Sequence, residues 1–231
     1  MTKQWVIEDI SAEEEALALE ISVALTLNPI VSRLLVKRGV TSVPEARSFI
    51  DPKLKEQPNP YLMYGMDKAV SYLQRTMRSR KPIMITGDRD VDGVTSVALI
   101  NNALRDVFGY DSKLLHCYIP GRNCIEDALM SDCQLLIAVD TGIKAIKEVD
   151  YARSLGLEVI ICDHHQADDT LPVASAILNP KLKECTYPNT HLSACGVAYK
   201  FMQALAIAEN KELSKLYNYL DLLAISTAAD L

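Results

Sequence analysis

The stretch Ile83-Met84-Ile85-Thr86-Gly87-Asp88-Arg89-Asp90-Val91-Asp92-Gly93 joins an apolar run to a turn crowded with carboxylates. A run of that composition and length suits a parallel strand buried on both faces, and the residues after it have helical character. Further along, two more apolar runs end in the same way. Leu135-Leu136-Ile137-Ala138-Val139 enters Asp140-Thr141-Gly142, and Val159-Ile160-Ile161-Cys162 enters Asp163-His164-His165. In open parallel sheets ligands gather beyond the carboxyl ends of the strands, so these side chains are expected to converge on one crevice. Carboxylates brought together there would repel strongly without cations. Oxygen donors mixed with imidazole suit divalent manganese, magnesium or zinc, which points to a metal-dependent hydrolase.

Around these runs the pattern alternates. Strands are expected at 82–86, 113–119, 134–139, 158–162 and 174–178, with helices at about 94–108, 143–155, 193–209 and 213–229. An amphipathic helix through Ala69, Val70, Leu73 and Met77 precedes the first strand. Such alternation implies right-handed crossovers and an α/β fold with a doubly wound, mainly parallel sheet. Before it, Ser11-Ala12-Glu13-Glu14 is a capping box opening a helix through Leu17, Leu19, Ile21 and Leu25. Asn28-Pro29 interrupts that helix. A second runs through Ile30, Leu34, Leu35 and Val36 to Gly39, and a third, capped by Ser42 or Val43-Pro44, covers Ala46 to Ile50. Three prolines between Asp51 and Pro60 read as a linker. The expected division is a helical appendage with linker over 1–60 and a catalytic domain over 61–231.

Bulk properties exclude less. The 231 residues are 49% hydrophobic and 23% charged, and the net charge of −6 carries no overall electrostatic footprint for nucleic acid. A nucleic-acid groove would have to be local or come from sequence outside this chain. The six cysteines form no CxxC pair. Met1-Thr2-Lys3-Gln4-Trp5 lacks the apolar core of a signal peptide, and no apolar stretch reaches transmembrane length. A cytoplasmic setting without membrane contact is the expectation.

Several motif readings fail. Asp88-x-Asp90-x-Asp92-Gly93 opens like an EF-hand loop, but Leu99 stands where the bidentate Glu belongs. Asp90-Val91-Asp92-Gly93-Val94 resembles the nucleophile motif of haloacid-dehalogenase-type phosphatases, yet the strand ends before Asp88 and that mechanism has no use for Asp163-His164-His165. Neither a Walker A sequence nor GxGxxG occurs. Ser193-Ala194-Cys195-Gly196-Val197 opens a helix whose N–H groups could meet a phosphate, or Ser193 is a plain cap with Gly196 permitting close packing. His116, inside a strand, and His191, in a polar loop, read as structural.

The segments Gly87 to Gly93, Val139-Asp140-Thr141-Gly142-Ile143, Asp163-His164-His165 and Leu222 to Asp230 together resemble RecJ-type exonucleases of the DHH phosphoesterase superfamily. So do Ile177-Leu178-Asn179-Pro180, Cys195 to Tyr199, and residues 29–70 with Lys37-Arg38-Gly39 and Phe49-Ile50-Asp51-Pro52. This resemblance implies a 5′→3′ exonuclease specific for single-stranded DNA that releases mononucleotides in repair and recombination. It implies Asp90, Asp92, Asp140, His164 and Asp230 as ligands of two Mn²⁺ or Mg²⁺ ions, with Asp140 bridging. His165 would face the scissile phosphate, and Asp88 and Asp163 would lie in or beside the ligand set. Water activated at one ion would attack in line while the other ion stabilises the leaving oxygen. A single-strand-binding protein or a helicase would be candidate partners.

The chain departs from the pattern at Arg89, at Thr141, and after Tyr118-Ile119-Pro120-Gly121-Arg122, where a Gly-Tyr-Gly loop is shortened or missing. Arg122 remains a candidate phosphate contact, alongside Ser193 and Gly196. The chain also ends one residue beyond Asp230, where the helix end is expected to fray. The family's second, DHHA1-like domain and its OB-type module, which grips single strands, are not in this sequence. Two rival readings stay open: a DHH enzyme for short oligonucleotides, cyclic dinucleotides or pyrophosphate, and a non-catalytic DHH module that binds partners. The filled acidic and histidine positions favour catalysis.

Overall fold

A computed structural model describes residues 9–119 and 133–230; Arg122 and the residues after it, where a loop is expected to be shortened or missing, lie outside them. The chain divides into two compact units, one up to Gln57 and one from Pro58 onward.

Among the described residues the first unit holds three α-helices. In α1 (Ala12–Leu25), Ser11 and Glu14 form the reciprocal capping box. In α2 (Pro29–Lys37), Asn28 caps and Pro29 occupies the first turn, where its missing N–H costs nothing. Ser42 caps α3 (Val43–Ile50), which starts three residues earlier than the sequence suggests because Val43-Pro44 forms its first turn. Ala18, Ile21, Leu35, Val36, Val40 and Ala46 make a small core. Leu19 and Val23 instead face solvent, at 62% and 75% exposure. Apolar residues occur on every side of α1, so its pattern does not reveal which side is buried.

In the second unit α4 (Met66–Arg78) precedes a five-stranded sheet: β1 (Ile83–Gly87), β2 (Leu115–Tyr118), β3 (Leu135–Val139), β4 (Glu158–Cys162) and β5 (Ala176–Leu178). Its order is β2-β1-β3-β4-β5, and every pairing is parallel. The connecting and flanking helices are α5 (Val91–Asp106), α6 (Ile146–Ser154), α7 (Ala194–Ala208) and α8 (Leu220–Ala229). Residues 213–219, expected to belong to one long helix, form a 3₁₀ segment leading into α8. Alternation along the strands splits the core in two. Ile83, Ile85, Leu135, Ile137, Val139 and Ile160 pack with residues of α4, α5 and α7, whereas Met84, Leu136, Ala138, Val159 and Ile161 pack with Val149 and Ala152 of α6.

The register decides what reaches the top of the sheet. Gly87 pairs with Val139, and Val139 with Cys162, so three neighbouring strands finish level. The next residues, Asp88, Asp140 and Asp163, therefore emerge side by side. The chain direction across the sheet reverses between β1 and β3, the switch point where ligands of open α/β sheets settle. Among the described residues no helix is long and apolar enough to cross a membrane.

Candidate metal centre

The first carboxylates follow β1. The turn from Asp88 to Asp92 is very tight: a Cβ on Gly93 would stand 2.3 Å from the Asp88 carbonyl oxygen and 2.6 Å from its nitrogen. Only glycine admits that approach. Asp90 caps α5, its Oδ1 accepting from the Gly93 N–H at 2.9 Å. Asp92, the second residue of the helix, is buried. Its Oδ2 accepts from the Ala194 N–H at 2.7 Å, and its Oδ1 accepts from the Cys195 N–H at 2.9 Å and from the Ser226 hydroxyl at 2.7 Å. Asp88 is exposed, with Oδ1 accepting from the Arg89 N–H at 2.6 Å.

Asp140 leaves β3 with φ of +58°, in the left-handed region that Asp tolerates better than most residues. Its N–H donates to the Cys162 carbonyl at 2.9 Å, which ties the turn to β4. The side chain is 2% exposed, and Oδ2 is buried with no hydrogen-bond partner. Beyond β4, Asp163 is fully buried and saturated. Oδ1 accepts from the N–H groups of His164 and His165 at 2.7 and 3.0 Å and meets His165 Nδ1 at 2.8 Å, while Oδ2 accepts from the Ile143 N–H at 3.0 Å. Asn179, also buried, donates from Nδ2 to the His165 carbonyl at 2.9 Å.

His164 sits at the centre. Nε2 is 3.3 Å from Asp140 Oδ1 and 3.6 Å from Asp92 Oδ2, yet it makes no hydrogen bond and is buried. Nδ1 is 3.5 Å from Oδ2 of Asp230, the C-cap of α8. Two donor groups share this imidazole: Asp140, His164 and His165, and Asp92, His164 and Asp230, each with ligand atoms within 4.8 Å of one another. Two orphaned buried atoms, Asp140 Oδ2 and His164 Nε2, belong to this cluster. Leaving them unpaired costs free energy that a cation among them would remove. The mixed oxygen and imidazole set fits Mn²⁺, and its carboxylate part fits Mg²⁺. A crevice of about 630 Å³ opens alongside, bounded by Asp88, Asp140, Ile143, Lys144, Asp163 and His165.

Burial pushes the Asp140 carboxyl up to about 6; His164 opposes the shift, and the Asp92 and Asp90 carboxylates reinforce it. His164 is raised by the adjacent Asp140 carboxylate, against burial and with help from Asp230 and Asp92. Both groups are raised, so at these two positions the folded protein binds protons more tightly than the unfolded chain. Their stabilisation is complete below the unfolded values and is lost as pH rises through the folded ones. Without metal, this contribution is expected to fade from the ordinary carboxylate range through about 6 and on through the raised His164 value. An ion displaces those protons, so the rise in melting temperature on adding Mn²⁺ should grow as pH rises through about 6 and on through the raised His164 value. Thermal melts in EDTA and in Mn²⁺ across that range check this, and a pH-independent increment would contradict it.

Of the residues singled out in the sequence, Asp92, Asp140, His164, His165 and Asp230 converge, Asp90 caps α5 near enough to raise the Asp140 carboxyl, and Asp88 stands at the crevice. Asp163 turns its carboxylate to backbone N–H groups. Ser193 and Gly196 are buried, the Ser193 Oγ accepting from the Gly196 N–H at 3.2 Å as the α7 cap. The anion at that helix start is Asp92 itself. His116 and His191 belong to neither donor group. Ser226 and the structural part played by Asn179 carry no signal in spacing, because their partners are distant in sequence.

A parallel α/β sheet with carboxylates and imidazoles gathered at its switch point defines a protein with a candidate divalent-cation centre. Residues 82–227 match the model of the DHH family, N-terminal domain, and the chain belongs to that family. It is 38% identical over 212 residues to the single-stranded-DNA-specific exonuclease RecJ of Bacillus subtilis, covering 90% of this chain and 26% of the relative. To Escherichia coli RecJ it is 35% identical over 222 residues, covering 88% of this chain and 37% of the relative. The chain thus spans well under half the length of these relatives. The crystal structure of Thermus thermophilus RecJ in complex with Mn²⁺ superposes with a TM-score of 0.76 at 28% identity, over 93% of this chain and 30% of that one.

Proposed function

We propose that this chain is the N-terminal catalytic portion of a RecJ-type exonuclease, hydrolysing phosphodiester bonds of single-stranded DNA from the 5′ end with two divalent ions. The observation that carries the reading is the pair of buried atoms without a hydrogen bond, Asp140 Oδ2 and His164 Nε2, inside overlapping donor groups. On this reading Asp90, Asp92, Asp140, His164 and Asp230 hold Mn²⁺ or Mg²⁺, with Asp140 between the two sites. Bound there, the ions supply Lewis acidity and an activated water. The chain's own residues do the rest. Asp163 holds the proton on His165 Nδ1, which leaves the other ring nitrogen to meet the scissile phosphate at the crevice. Asn179 fixes the His165 backbone from behind. Ser193 and Gly196 are assigned to holding Asp92 in place rather than to substrate.

Residues 1–60 would be the helical appendage and linker, and 61–231 the catalytic domain. DNA repair and recombination, a cytoplasmic setting, and a single-strand-binding protein or helicase as partner follow from the same kinship. The test is mononucleotide release from 5′-phosphorylated single-stranded DNA in Mn²⁺ or EDTA, beside duplex DNA, a dinucleotide and pyrophosphate. Metal-dependent release from the single strand alone is expected. Cleavage of only the small substrates would reassign the chain to a small-substrate phosphoesterase. Tight Mn²⁺ binding without turnover of any substrate would count against catalysis by this chain.

A further inference from the structure

Asp92 is anchored by a hydroxyl that nothing in the motifs announces. Its Oδ1 accepts two hydrogen bonds, from the Cys195 N–H and the Ser226 hydroxyl, which occupy both in-plane lone pairs of that oxygen. Among the described residues Oδ2 accepts one, from the Ala194 N–H, and it is the Asp92 oxygen 3.6 Å from His164 Nε2. A carboxylate cannot donate, so the single hydrogen of the Ser226 hydroxyl is committed to Asp92. The 2.6 Å contact between the Ser226 and Ser193 hydroxyls must then be donated by Ser193, whose oxygen accepts from the Gly196 N–H. The result is a one-way chain from Ser193 to Ser226 to Asp92, in which each bond polarises the next. Ser226 is fully buried, so water cannot replace it.

The same hydroxyl registers a second element. Ser226 and Asp230 are four residues apart on α8 and share a helix face, and the Asp230 N–H donates to the Ser226 carbonyl at 3.1 Å. Clamping Ser226 to Asp92 therefore sets the rotation of α8 that brings Asp230 to within 3.5 Å of His164 Nδ1.

We propose that Ser226 is a positioning residue for the metal centre: its hydroxyl, pinned by Ser193, confines Asp92 to binding an ion through Oδ2 alone and keys Asp230 to the same site. This rests on the assignment of Asp92 and Asp230 as ligands. Ser226→Ala frees one lone pair on Oδ1, lets the carboxylate rotate toward a two-oxygen mode, and releases the register of α8.

The test uses the full chain. Mn²⁺ binding is followed by electron paramagnetic resonance, and folding by circular-dichroism melts in EDTA. S226A is expected to bind Mn²⁺ about 10-fold or more weakly, the usual cost of losing a residue that orients a ligand, and to change the spectrum of the bound ion. S226T, which keeps the hydroxyl, should restore most of the affinity. T227A removes a hydroxyl from the same helix that, among the described residues, donates to the Leu223 carbonyl at 2.8 Å, and should leave affinity unchanged. Should S226A not fold, S193A removes the pin together with the α7 cap and should weaken binding several-fold. Wild-type affinity and spectrum in S226A, or in S193A where S226A does not fold, would overturn the proposal, as would a loss in T227A equal to that in S226A. A wild-type chain that binds no Mn²⁺ would instead overturn the metal centre itself.

Discussion

Asp140→Asn is expected to abolish metal-dependent hydrolysis while making the metal-free protein more stable. Asn keeps the shape of the side chain and tolerates the left-handed backbone at this position, where φ is +58°. What it removes is the charge that two ions would share. Several kcal/mol of charge stabilisation in the transition state go with it, so turnover should fall on the order of 10³-fold or more. Stability should move the other way. The Asp140 carboxyl is buried and pushed up to about 6, so above that pH the metal-free protein carries a charge it would rather neutralise. Removing it should recover on the order of 2 kcal/mol near neutral pH, a gain that vanishes toward acid. Nuclease assays in Mn²⁺ and melts in EDTA on one pair of proteins check both halves. A mutant destabilised in EDTA at neutral pH would show that Asp140 is structural rather than a ligand held at the cost of stability.

The second large effect belongs to Gly93, which touches no ion. A methyl group there would meet the Asp88 backbone at 2.3 to 2.7 Å, and both the β1 end and the α5 start would have to move. No rotamer relieves a clash between a Cβ and main chain, so Gly93→Ala should cost on the order of 3 kcal/mol or more, which lowers the melting temperature of a chain this size by about 10 °C. Because the turn carries Asp90 and Asp92, Mn²⁺ affinity should fall with it. Added Mn²⁺ should then rescue the mutant's melting temperature less than the wild type's. An alanine variant with wild-type melting and metal binding would mean that the turn has room that the geometry denies.

The site is legible in the sequence to different depths. Asp88, Asp90, Asp92, Asp140 and the histidine pair stand out because each follows an apolar run, a pattern written in consecutive residues. Their separate duties do not. Asp163 looks as metal-competent as Asp140, yet its oxygens are spent on the N–H groups of Ile143, His164 and His165. Ser193 and Gly196 suggest a phosphate at a helix start, where the structure places the Asp92 carboxylate. Whether a carboxylate is a ligand or a brace depends on which donors surround it.

The sequence by itself determined the alternation of strands and helices and the Asp or His residues at the strand ends, because periodicity and strand length are local properties of the chain. The tertiary structure alone decided that β1, β3 and β4 end in register, that Asp140 and His164 each keep a buried atom without a partner, and that Ser226 reaches Asp92 across 134 positions. Such contacts arise from how α5, α7 and α8 pack against one another. That packing is set by the summed burial of many apolar side chains, and no spacing between the polar residues records it.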